Sequence, residues 1–94
     1  MHTELVEIYS DASNAAVMRH PGRKFPGLLV QGDTMRNFCV EADAACESAR
    51  GVLDEEGFER IDSLRNDLWL LLDHYKRVLG EHGIPLPFSE APVR

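Results

Sequence analysis

No apolar run in this chain approaches the roughly 18–20 residues needed to cross a bilayer. The longest, Leu68–Leu72, is five residues. The first residues, Met1-His2-Thr3-Glu4, set no basic segment ahead of an apolar stretch, so no secretory leader is expected and the cytoplasm is the default compartment. Cysteine is scarce, with Cys39 and Cys46 alone. They stand seven apart in a helical pattern, about 10 Å along the axis. A disulfide needs Cα atoms within about 7 Å, so the two are expected as small buried apolar residues. No CxxC and no Cys/His cluster offers zinc spacing. Also missing are the phosphate-binding GxxxxGK, GxGxxG, HExxH and GxSxG patterns. His74 and His82 are eight apart, about 12 Å of helical rise, too far to share a metal. No catalytic residue, metal or cofactor is expected, and the chain reads as a non-enzyme.

What the chain does have is enough apolar residue, 44% of 94, for one folded domain spanning residues 1–94. The net charge of −6 is unevenly spread. Residues 1–31 balance Glu4, Glu7 and Asp11 against Arg19, Arg23 and Lys24. Residues 41–62 hold Glu41, Asp43, Glu47, Asp54, Glu55, Glu56, Glu59 and Asp62 against only Arg50 and Arg60. An acidic field of this kind repels a nucleic-acid backbone and favours a basic partner. Its plain counterpart is a solvated helix face.

The hydrophobic period divides the chain. Leu5–Tyr9, Ala15–Arg19 and Leu28–Gln31 read as short strands separated by Ser/Asn/Asp and Pro/Gly turns. Asp11, Ser13 and Asn14 near Arg19 and His20 invite a catalytic reading, but turn chemistry alone accounts for them. After Gly32 the period becomes 3.6. Asp33 is the expected N-cap of a helix from Thr34 to about Glu56, continuous through Gly51, with Gly57 just past its end. Its stripe is Met35, Phe38, Cys39, Ala42, Ala45, Cys46, Ala49, Val52 and Leu53. A second stripe runs through Phe58, Ile61, Leu64, Leu68, Leu71, Leu72, Tyr75, Val78 and Leu79. The tail Ile84–Phe88 is expected to be extended by its prolines and to fold back on the core. The fold class expected is α+β: a small antiparallel sheet of about three strands (4–31) packed on a long antiparallel helical hairpin (about 34–56 and 58–82).

Three candidate surfaces follow. The first is the acidic helical surface of Glu41, Asp43, Glu47, Glu55, Glu56, Glu59 and Asp62. The second is the loop from Arg19 to Gly27, where Arg19, His20, Arg23 and Lys24 sit on a stiff Pro/Gly backbone beside Phe25. Such a loop suits a carboxylate, a phosphate or a nucleotide, or else it pairs with the protein's own acids. With no further aromatics interleaved, it makes a weak nucleic-acid platform. The third is Trp69 with Leu70. Leu70 lies opposite the second stripe, so that helix needs cover on more than one side, from the sheet, a second copy or a foreign partner.

The run Asn14-Ala15-Ala16-Val17-Met18-Arg19-His20-Pro21-Gly22-Arg23, followed by Phe25-Pro26-Gly27 and Gln31-Gly32-Asp33, resembles a family of small bacterial proteins of unknown function. So does the later His74-Tyr75, Leu79 and His82-Gly83-Ile84-Pro85-Leu86-Pro87. The resemblance covers about residues 5 to 88. It implies a stand-alone bacterial cytoplasmic protein and carries no functional residue with it.

The function expected is a non-catalytic protein-binding module. Its sharp form is an immunity protein that neutralises a toxin by filling a basic active site with the acidic helical surface. The alternative is a small regulatory or adaptor protein that takes an anionic ligand or nucleotide on loop 19–27. The partner expected is a protein, basic in character, with a homodimer as a second form; neither a membrane nor nucleic acid is expected.

Overall fold

The computed structural model describes residues 1–90. They fall into two compact units, Met1–Gln31 and a second that begins at Gly32. The first is a three-stranded antiparallel sheet of β1 (Glu7–Ser10), β2 (Ala15–Arg19) and β3 (Gly27–Val30), in the order β1-β2-β3. The second is a hairpin of α1 (Gly32–Ala49) and α2 (Glu55–Glu81). The class is α+β, as the change of hydrophobic period implies.

The strand positions agree with the alternating pattern, and β2 has the expected bounds. β1 starts two residues later than its apolar run, and β3 is one residue earlier. Alanine is a poor strand former, yet Ala15 and Ala16 lie in β2, where their pairing with Val30 and Leu29 of β3 outweighs propensity. The ladder pairs Val17 with Leu28 and Ala16 with Leu29. Opposed residues share a face, and neighbours along a strand do not. Leu28 and Leu29 therefore lie on opposite faces, and both are exposed. Between Ile8 and Ser10 the β1–β2 register shifts, with Tyr9 as the extra residue.

The hairpin differs from its sequence reading at the joint. α1 does not run to Glu56. It stops at Ala49, and Gly51 takes φ +77°, a conformation that side chains with a Cβ resist. Val52 and Leu53 continue the helical spacing, but they form the turn and are exposed. α2 then opens on Asp54, whose Oδ1 accepts the Gly57 N–H at 2.8 Å, with Glu55 and Glu56 in the first turn. Gly57 is thus inside α2 rather than beyond α1, and Glu55 and Glu56 belong to the second helix. The earlier N-cap also shifts: α1 begins at Gly32, and Asp33 sits in its first turn, accepting the Thr34 N–H at 2.9 Å. The far end of α2 closes at Glu81, next to the expected end at about 82. The Ile84 N–H reaches the Leu79 carbonyl at 2.9 Å and the Gly83 N–H the Gly80 carbonyl at 3.2 Å, with Gly83 at φ +66°.

Cys39, Cys46 and Leu72 are the buried apolar core of the hairpin, and both thiols are free. The Cys46 thiol points at the Ile61 carbonyl, 3.6 Å away. Gly32 is buried where a Cβ would lie 2.3 Å from the Tyr75 ring, so the start of α1 meets α2 backbone-first. The tail lies on the hairpin: the Phe88 ring sits 5.8 Å from the Arg36 guanidinium, and Glu90 pairs with Lys76 at 2.9 Å. Each helical stripe is wider than the contact it makes. Phe38, Ala45, Leu64 and Leu71 lie on the open edges, because two packed helices cover only about two residues per turn of each other.

Candidate functional site

The acids of residues 41–62 do not form one continuous surface. At about 100° per residue, Asp43 and Glu47 lie on one side of α1 and Glu41 on the other. Asp43 is turned into the hairpin, where its Oδ1 accepts the Trp69 indole N–H at 3.0 Å and lies 3.8 Å from Arg65. Arg65 in turn donates to Asp62 at 2.7 Å, one helical turn away. Its Nε is buried and has no hydrogen-bond partner among the described residues. Two acids and the indole therefore form one network around a single guanidinium. Beside it, Val40, Asp43, Ala44, Glu47, Arg50 and Arg65 line an open groove of about 430 Å³.

Apart from Glu41, in the middle of α1, the remaining acids gather near the turn. Glu47 lies 3.6 Å from Arg50, whose guanidinium stands over the Phe58 ring, and Glu56 pairs with Arg60 at 2.9 Å. Glu41, Glu55 and Glu59 have no ion pair among the described residues. Next to Glu55 stand Val52, 77% exposed, and Leu53, 45% exposed. These two apolar residues are absent from the sequence-derived surface because their spacing placed them on the helical stripe. Gly51, followed by an Asp with two Glu behind it, was the signal for a turn there.

Loop 19–27 divides in a similar way. Arg19 bonds Glu7 across the β1–β2 pair and also donates to the Arg23 carbonyl at 2.9 Å. The Arg19 hydrogen bond, and then its charge, hold the Glu7 carboxyl below the usual glutamate range, against a small opposing effect of burial. The Arg19 guanidinium is held correspondingly higher by the same pair. His20 shapes the turn, its Nδ1 accepting the Gly22 N–H at 3.0 Å and its carbonyl the Arg23 N–H at 2.9 Å. Arg23 and Lys24 have no carboxylate partner among the described residues. The Lys24 ammonium stands 5.4 Å from the centre of the Phe25 ring, which is 72% exposed.

Leu70 is exposed, whereas Trp69 beside it is half-buried in the Asp43 network. Among the described residues, no three His, Cys, Asp or Glu side chains are placed to hold a metal ion, and no helix is long and apolar enough to cross a membrane. No curated protein and no solved structure matches the chain. Residues 1–88 match the model of DUF6959, a family of unknown function, and the chain belongs to that family.

Proposed function

We propose that this chain is a non-catalytic protein-binding module that meets a basic partner with the turn end of its helical hairpin. The observation that carries the reading is the exposure of Val52 and Leu53 beside Glu55 and Glu59, two acids without a counter-charge among the described residues. Apolar anchors with an acidic rim have the make-up of an interface, in which burial supplies affinity and the rim supplies steering and choice of partner. In its sharp form the module is a bacterial cytoplasmic immunity protein, and the partner is a toxin whose nucleic-acid or nucleotide site is basic.

Capture of partners from the native cells, with elution in a salt gradient, tests this reading. The expected result is a stoichiometric basic protein that the wild type retains and that Glu55→Lys/Glu59→Lys does not. Equal retention by the charge-reversed chain would overturn it.

A second reading has its own observation. Arg23 and Lys24 stand on a fixed turn beside the exposed Phe25 ring, which suits a nucleotide or another planar anion. Saturable amide shifts confined to Arg23–Gly27 on titration with nucleotide would support it. A flat response at millimolar ligand would remove it.

A further inference from the structure

One side of the helical hairpin is apolar from end to end, and its chemistry is independent of the turn. On α2 the residues Ile61, Leu64, Leu68, Leu71, Tyr75 and Val78 follow each other at alternating spacings of three and four, the seam of a coiled coil. Leu72 faces α1, so this seam lies to one side of the contact, with Ile61 and Tyr75 touching α1 at its edge. α1 has a matching row, Met35, Phe38, Ala42, Ala45 and Ala49, also spaced three and four. Because the helices are antiparallel and both right-handed, the two rows emerge on the same side of the hairpin. The Asp43–Trp69–Arg65 network emerges on the other. Neither row contains a charge. Phe38 is 49% exposed, Leu64 58% and Leu71 57%.

We propose that this face is the dimer interface of the protein, closed by the same face of a second copy to make a four-helix bundle. Three features favour a second copy. The first is size matching. The α1 row holds three alanines in five residues, and the α2 row holds no residue smaller than valine. A two-fold axis parallel to the helices sets α1 of one copy against α2 of the other, so small residues receive large ones in both directions. The second is level. The Cys46–Ile61 and Asp43–Arg65 contacts place Leu64 between Ala42 and Ala45 in height, and Ile61 between Ala45 and Ala49. Across the two-fold axis, those alanines therefore face the partner's Leu64 and Ile61. The third is area. The face is about 22 Å long and about 20 Å wide, so with side-chain relief it offers on the order of 700 Å². A standard interface takes about 800 Å² from each partner.

Sedimentation equilibrium of the full chain over a range of concentrations tests the proposal. The expected species has twice the 10.6 kDa chain mass. Leu64→Lys/Leu71→Lys is expected to weaken the dimer by about 100-fold, as hot-spot losses do. Leu70→Lys, at a more exposed leucine off the face, is expected to leave it intact. Circular dichroism reads the fold in parallel. If the double variant loses helix, Ala45→Arg, at an exposed alanine of the opposing row, carries the same test. A wild type that stays at 10.6 kDa throughout would overturn the proposal and leave the face to another kind of partner. So would a dimer that survives both substitutions on the face, or one lost equally in Leu70→Lys.

Discussion

The indole nitrogen of Trp69 donates to the carboxylate of Asp43, 26 residues earlier, at 3.0 Å. This bond joins the two helices on their polar side and gives an apparently free acid an internal role. Asp43 also faces Arg65 at 3.8 Å, so one carboxylate accepts from the indole and sits beside a cation, both on α2. Replacing Asp43 by Ala removes the acceptor of the indole N–H and one counter-charge of Arg65. The expected cost is about 1–3 kcal/mol, read as a lower urea midpoint with unchanged slope. Trp69 emission is expected to shift in the native state as well.

Gly32 and Tyr75 set the close approach at the start of α1. A Cβ on residue 32 would lie 2.3 Å from the ring, so Gly32→Ala forces the tyrosine out of its place. The expected destabilisation is about 1–3 kcal/mol, as for other overpacked sites. In a Tyr75→Ala background the same substitution is expected to cost little. Thermal denaturation of the four chains in that cycle measures the coupling, and simple additivity would show the contact to be unimportant.

The Asp54 cap decides where α2 begins. Asp54→Ala removes the acceptor for the Gly57 N–H and is expected to cost about 1 kcal/mol. Hydrogen exchange should rise at residues 55–58 and not in the middle of α2.

The Glu7–Arg19 pair gives the sheet a pH dependence of known sign. Its carboxyl is held below the ordinary value of 4.5, so the folded state binds the proton less readily than the unfolded chain. The pair's contribution is fully present above the unfolded glutamate value and is lost as pH falls through the lower folded one. A carboxyl titration followed by NMR should place Glu7 below the ordinary glutamate value of 4.5. Glu7→Gln should remove that part of the acid sensitivity.

Both thiols are buried, Cys39 fully and Cys46 at 2% exposure. Modification by a thiol reagent is expected to be slow in the native protein and to accelerate in proportion to unfolding. Rapid labelling of either would mean that the hairpin opens locally.

Much of this architecture was legible because each signal is local. Alternation over a few residues marks a strand, and a stripe at 3.6 marks a helix. Gly83 ahead of Pro85 marks a helix end, since φ and the missing N–H act within a turn. The joint of the hairpin was not legible by periodicity. Val52 and Leu53 keep helical phase by coincidence, and only the competition between the Gly51 stop and the Asp54 cap breaks the helix there. The candidate surfaces divided in the same manner. Residue type and order picked out acids at 41–62 and cations at 19–24, whereas pairing separated Asp43, Asp62 and Arg19 from Glu55, Glu59, Arg23 and Lys24.

The sequence by itself determined the class of the fold, the order of its elements, the free cysteines and the uneven charge. These depend on neighbours a few residues apart, whose interactions are strong at any tertiary arrangement. Only the tertiary structure decided which edge of each wide apolar stripe is covered and which charges are spent internally. Those outcomes rest on contacts such as Asp43–Trp69 and Gly32–Tyr75, made by residues more than twenty positions apart. Their geometry depends on how the two helices pack, which no local pattern encodes.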